Sequence, residues 1–128
     1  MSFTNRLYPM SATASGTDAT DNVHILNPSA GTVRAVSFYL VPNVSVATHA
    51  SNYITITVKK GSTVLATFTT NSTGGAALTA GTPVALTITG TGADLEIAAA
   101  GVYTVEVAKT GTGPTYKFSV VAVVEAVH

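Results

Sequence analysis

The sequence contains no cysteine and no tryptophan, and of its 128 residues only six are Lys or Arg and six Asp or Glu. The absence of cysteine excludes disulfide frameworks, thiolate nucleophiles and Cys-based zinc sites, while leaving the compartment open. The balanced, scattered charge argues against nucleic acid, whose phosphates are normally met by a basic patch that displaces counterions. Globular domains carry about 25% charged residues, against 9% here at zero formal net charge. The surface is therefore built from Thr, Ser, Asn, Ala and backbone. Such a neutral surface invites self-association, and much of it is expected to be covered by something else.

Long apolar runs are also missing. Residues 1–9 have no apolar stretch of the kind a secretory signal carries, so the chain is expected to stay where it is made. Residues 35–58 and 61–93 lack Asp, Glu, Lys and Arg, but Pro42, Asn43, His49, Ser51 and Asn52 interrupt the first. Asn71, Ser72, Thr73, Gly74 and Gly75 split the second. A spanning helix needs about 20 mainly apolar residues in a row, so no membrane span is expected. The length suits one domain with a core of its own.

Threonine is the commonest residue, followed by alanine and valine, and the apolar positions recur every second residue, the signature of strands. In residues 53–60, Ile54, Ile56 and Val58 point one way and Thr55, Thr57 and Lys59 the other. After a turn at Lys60, Gly61 and Ser62, residues 62–70 set Val64, Ala66 and Phe68 against Thr63, Thr67 and Thr69, which completes an antiparallel hairpin. Further strands are expected over 22–26, 31–41, 83–89, 94–97, 101–109 and 115–127. In 31–41, Val33, Ala35, Ser37, Tyr39 and Val41 alternate with Arg34, Val36, Phe38 and Leu40. Both faces become apolar toward its end, so it is expected to be central or covered. In 115–127, Tyr116, Phe118, Val120, Ala122 and Val124 form one face, with Val121, Val123 and Val127 on the other. This strand is expected to bury both sides, as a central strand or a subunit contact does.

About eight antiparallel strands with turn-rich connections predict an all-β fold, a single β-sandwich of jelly-roll type. The one stretch with helical propensity, Ala98, Ala99 and Ala100, is cut short by Gly101 and allows a single turn at most. Residues 1–21 are rich in Ser, Thr, Ala and Gly after a cluster of Phe3, Arg6, Leu7, Tyr8, Pro9 and Met10. This composition reads as an extended N-terminal arm docking on a neighbour, with the sandwich domain over 22–128.

No catalytic signature is present: there is no G-x-S-x-G elbow, no Walker motif and no H-E-x-x-H. His24, His49 and His128 are dispersed and give no metal-ligand spacing. Asp94 and Glu96, two apart on an expected strand, share a face as paired carboxylates of a glycosidase can, but Leu95 and Ile97 opposite them place both on the solvated side. Asp18, Asp21 and Asn22 lack the spacing of a calcium loop. The Gly90-Thr91-Gly92 and Gly111-Thr112-Gly113 segments lie between expected strands with no helix to follow, and read as hairpin turns instead of phosphate loops. Asn43-Val44-Ser45 and Asn71-Ser72-Thr73 match the N-glycosylation pattern, which has no meaning without a secretory route. The expectation is a protein with no catalytic residues, no metal and no cofactor.

The segments Val36-Ser37-Phe38-Tyr39-Leu40-Val41-Pro42, Asn52-Tyr53-Ile54-Thr55-Ile56-Thr57-Val58, Leu78-Thr79-Ala80-Gly81-Thr82-Pro83-Val84 and the Gly101–Gly113 stretch follow one another along the chain. From about Val33 to Val124 this pattern resembles the head decoration, or capsid cement, proteins of tailed bacteriophages. The resemblance implies a non-enzymatic virion protein, made in the host cytoplasm and placed on the outer surface of the capsid. There it is expected to act as a homotrimer bridging neighbouring major capsid proteins. Phe3, Arg6, Leu7 and Tyr8 are then candidate capsid contacts, and Val121, Val123 and Val127 candidate subunit contacts. A closed cyclic assembly accounts for low charge and two-faced apolar strands, because its interfaces hide surface that a monomer must solvate. The alternative is a tail or fibre β-sandwich that binds host-surface glycans. Sugars stack on exposed aromatics, and Tyr8, Tyr39, Tyr53, Tyr103 and Tyr116 mostly fall at inward positions or in the arm, which counts against it.

Overall fold

The computed structural model describes residues 6–127, which form ten β-strands and one 3-10 turn. The strands are β1 (Leu7–Thr17), β2 (Asp21–Leu26), β3 (Val33–Pro42), β4 (Tyr53–Lys60), β5 (Thr63–Thr69), β6 (Val84–Ala85), β7 (Thr87–Ile88), β8 (Glu96–Ile97), β9 (Val102–Thr110) and β10 (Thr115–Ala126). They make two antiparallel sheets, β1-β10-β3-β6 with β8 also on β3, and β2-β9-β4-β5-β7. Setting aside the two-residue β7 and β8, this is the interleaved strand order of a jelly roll. No helix among the described residues is long and apolar enough to cross a membrane.

The period-two pattern places one apolar row of each long strand between the sheets. Ile54, Ile56 and Val58 of β4, Tyr103, Val105 and Val107 of β9, and Tyr116, Phe118, Val120, Ala122 and Val124 of β10 are all buried. Phe38 of one sheet meets Tyr103 of the other edge-to-face, with ring centroids 5.3 Å apart at 89°, a geometry aromatic quadrupoles favour.

Two bulges move residues off the simple alternation. Val123 pairs with Ser37 and Val124 with Ala35, so Val36 is the extra residue of β3. Val33 and Ala35 are buried before the bulge, and Phe38 and Leu40 after it, while Val36 and Tyr39 face outward. The two-sided apolar end of this strand is thus a change of phase, since one inserted residue exchanges the faces. In β5, Val58 pairs with Ala66 and Lys59 with Val64, leaving Leu65 unpaired. Leu65 and Ala66 are therefore both buried, and Val64, expected inward, is exposed.

The N-terminal arm expected over residues 1–21 is corrected within the described residues. Leu7–Thr17 is β1, paired with β10 along its whole length from Leu7↔Glu125 to Thr17↔Thr115, and Asp21 begins β2. Met10 and Ala14 of β1 are buried in the core, with Tyr8 and Ala12 packed against it. The Ser, Thr, Ala and Gly composition serves close packing here. A Cβ on Gly16 would sit 2.9 Å from the Tyr116 hydroxyl, which itself donates to the Ala19 carbonyl at 3.0 Å.

Expected residues 83–89 also divide. β6 pairs with β3 and β7 with β5, so the chain changes sheets at Leu86. The helical turn falls at Gly92–Leu95 and takes Asp94 out of the strand expected there. A short helix does follow Gly90-Thr91-Gly92, although its four residues are too few to present an anion site. Gly111-Thr112-Gly113 links β9 to β10 across the two sheets and is not a hairpin turn.

Polar clamps tie the connections at both ends. Asn27, wholly buried, donates through Nδ2 to the carbonyls of Gly31 (2.9 Å) and Ala98 (3.0 Å), and its Oδ1 accepts from the amide (3.0 Å) and hydroxyl (2.8 Å) of Ser29. At the other end, Asp18 Oδ1 accepts from Lys109 Nζ and from the Gly113 amide, both at 2.7 Å. The Lys109 bond and the Gly113 amide hold the Asp18 carboxyl below its ordinary 3.8. Burial pushes the Tyr103 hydroxyl up to about 12, Glu96 adding to the rise and a backbone hydrogen bond from Ala35 opposing it.

These shifts predict a two-sided pH profile. A depressed carboxyl favours the folded state above its unfolded value, so that contribution falls away as pH drops below 3.8. A raised tyrosine favours it until the unfolded hydroxyl ionises, so stability falls as pH climbs from 10 toward 12. Thermal unfolding followed by circular dichroism should show both limbs. Asp18→Asn should flatten the acid limb and Tyr103→Phe the alkaline one.

Candidate functional site

The outer face of the β1-β10-β3-β6 sheet collects three of the seven candidate contact residues, Leu7, Val121 and Val123. Because β10 lies between β1 and β3, each outward side chain on it is flanked from both sides. Val121 faces Ser11 and Tyr39, with Ala85 beyond, and Val123 faces Pro9 and Ser37, with the bulged Val36 alongside. Val121 and Val123 are half-buried on that account. Leu7 is 57%, Val36 45% and Tyr39 38% exposed, so the stripe presents apolar side chains to the outside.

Charge is confined to its ends. Arg34 stands in register between Glu125 of β10 and Glu96 of β8, an opposite-charge arrangement that cross-strand pairing favours. The Arg34 Nε is buried and makes no hydrogen bond among the described residues. Lys117 lies toward the far end, opposite Ser15. An apolar stripe interspersed with Ser11 and Ser37 and ending in charged residues is a surface of the mixed kind that protein interfaces present.

The sequence-derived candidates distribute as follows. Leu7 lies on this face, opposite Glu125 and one outward position from Pro9 and Val123, so a proposed capsid contact and a proposed subunit contact share one surface. Tyr8, opposite Val124, packs against the core instead, because alternation turns it inward. Arg6 is exposed just before β1. Phe3 and His128 lie outside the described residues. Val127 follows β10, half-buried, its amide donating to the Thr32 carbonyl at 3.0 Å. β10 lies between β1 and β3, but the expected burial of both its sides is met on one face only, the row of Val121 and Val123 being half-buried. Val36, Tyr39 and Pro9 were missed as members of the face. The signal for the first two was present in the two-sided apolar end of residues 31–41, but the bulge decides which side each takes.

The polar candidates do not converge. His24 Nδ1 bonds the Thr104 hydroxyl at 3.2 Å, and His49 Nδ1 accepts the Ser51 and Asn52 amides at 3.0 and 2.9 Å. Asp94 sits in the 3-10 turn and Glu96 on β8, so they do not share a strand face. Asp18 is engaged by Lys109, and Asp21 Oδ2 accepts the Ser15 amide at 3.4 Å. No group of three or more His, Asp or Glu among the described residues is placed to hold a metal ion.

Comparison with protein-family models, with curated proteins and with solved structures finds no match.

Proposed function

We propose that this protein is a structural component of a bacteriophage virion, decorating the outer surface of the capsid and stabilising it by bridging neighbouring major capsid proteins. The observation that carries the reading is the outer face of the β1-β10-β3-β6 sheet. It presents Leu7, Pro9, Val36, Tyr39, Val121 and Val123 to the outside on a chain with almost no charge to solvate them. The resemblance to capsid cement proteins supplies the partner, and a homotrimer supplies a closed way to cover such a face.

In this reading Tyr39, Val121 and Val123 pack against a neighbouring copy, while Arg6 and Leu7, at the end of β1, reach the major capsid protein. A stable interface buries roughly 800 Å² per partner, a modest share of the chain's 6508 Å² surface. Each trimer holds several lattice subunits at once, so modest contacts add through avidity.

Stabilisation follows from linkage. A protein that binds only the assembled shell adds about 2.7 kcal/mol per site at a free concentration one hundred times its Kd. Heads lacking the protein should rupture at a lower temperature than complete heads, and purified protein should restore the difference. Equal heat resistance with and without it would sink the reading.

A further inference from the structure

The opposite sheet carries a different surface. Alternation in β4, β5 and β7 turns threonines outward in register, Thr55 beside Thr69 and Thr57 beside Thr67 and then Thr87. Against this face lies a groove of about 530 Å³ lined by Tyr53, Thr55, Thr67, Asn71, Thr87 and the backbone of Gly74 and Gly75, among others. Its volume is within the range of roughly 300–1,000 Å³ typical of small-ligand sites.

The far wall is fixed in advance. The Thr69 hydroxyl accepts the Asn71 amide at 3.1 Å, Asn71 Oδ1 accepts the Thr73 amide at 2.9 Å, and the Gly75 and Ala76 amides donate to the Asn71 and Thr69 carbonyls. Gly75 presses so close that a Cβ there would collide with the Thr69 and Asn71 carbonyl oxygens. A wall tied down in this way needs no ordering when a ligand arrives.

The lining chemistry specifies the ligand. No Lys, Arg, Asp, Glu or His lines the groove, so nothing there selects a charged molecule. Thr55 and Thr69 hydroxyls bond each other at 3.3 Å. The hydroxyls of Tyr53, Thr67 and Thr87 and the amide nitrogen of Asn71, in contrast, make no hydrogen bond among the described residues. A tyrosine ring offers an apolar surface to the C–H face of a pyranose, with a hydroxyl at its edge. Free hydroxyls and an amide provide both donors and acceptors for sugar hydroxyls. Tyr53 and Tyr39 are also the tyrosines that the structure brings to outer faces, contrary to the inward placement that counted against sugar binding.

We propose that this groove binds a neutral saccharide. The groove lies mainly on the outer face of the β2-β9-β4-β5-β7 sheet and touches the other sheet only at Ala85 of β6, and its chemistry does not depend on capsid decoration.

The test is a titration of the isolated 15N-labelled chain with lactose and with maltose, followed by amide chemical shifts. Either sugar should give saturable shifts at Asn71, Gly74 and Gly75 in the millimolar range, with 3′-sialyllactose binding no tighter than lactose. Tyr53→Ala should weaken binding at least tenfold. Thr87→Val, at an exposed position, should weaken it severalfold with an unchanged unfolding temperature, which separates loss of a contact from loss of fold. No saturable shift with either sugar into the tens of millimolar, binding indifferent to Thr87→Val, or binding of the sialylated sugar alone would overturn the proposal.

Discussion

Replacing Val121 and Val123 together by aspartate should abolish assembly while the chain still folds. Both side chains point away from the core and sit among Pro9, Ser11, Ser37 and Tyr39. In a monomer the carboxylates remain in water, and the cost is about 1 kcal/mol or less per site in strand propensity. In an assembly that buries this face, like charges are brought together and desolvated, at a cost of several kcal/mol. Association with copies of itself and with heads should weaken at least about 100-fold, or roughly 2.8 kcal/mol. Cosedimentation with heads lacking the protein measures this, beside an Ala108→Asp control on the outer face of the opposite sheet. Equal occupancy by the double variant and the unaltered chain would remove this face from the assembly.

The largest stability contrast is expected between adjacent residues. Phe38→Ala removes a wholly buried ring that meets Tyr103 edge-to-face between the sheets. Such truncations cost about 3–5 kcal/mol through lost transfer energy and the cavity left behind. For a chain of this size that should lower the thermal midpoint by roughly 10–20 °C. Tyr39→Ala removes an outward ring and should cost about 1 kcal/mol or less in the monomer, read in the Val121→Asp, Val123→Asp background to exclude assembly. Equal losses at both positions would mean that the bulge at Val36 is absent and the strand is buried on two sides.

That contrast also marks where the sequence stops being informative. The period-two rows of β4, β9 and β10 were legible because each strand keeps one phase from end to end, so Ile54, Val105 and Val120 could be placed inward from spacing alone. A bulge has no periodicity of its own. The inserted Val36 and Leu65 are ordinary strand residues, and only the register of the partner strand shows them to be extra. β1 was hidden for another reason. Its inward positions include Ala12, Ala14 and Gly16, small side chains that a composition rich in Ser, Thr and Gly disguises as a tail. At Gly16 the small size is required, because a Cβ there would press on the Tyr116 ring end.

The candidate sites divide similarly. Val121 and Val123 were found because β10 shows two apolar rows within twelve residues. Their neighbours Pro9 and Tyr39 come from strands distant in sequence and are brought beside them by the order β1-β10-β3. The groove was invisible beforehand, since Tyr53, Thr67, Asn71 and Thr87 meet only through strand pairing and the fold of the loop after β5.

Cryo-electron microscopy of the virion, at a resolution that traces strands, reads the placement of this chain directly. Three copies should be grouped on the outer surface of the capsid, with the face carrying Tyr39, Val121 and Val123 turned toward a neighbouring copy and Arg6 and Leu7 at the major capsid protein. Density for the chain in a tail or fibre, or on the capsid with that face turned to solvent, would contradict this placement.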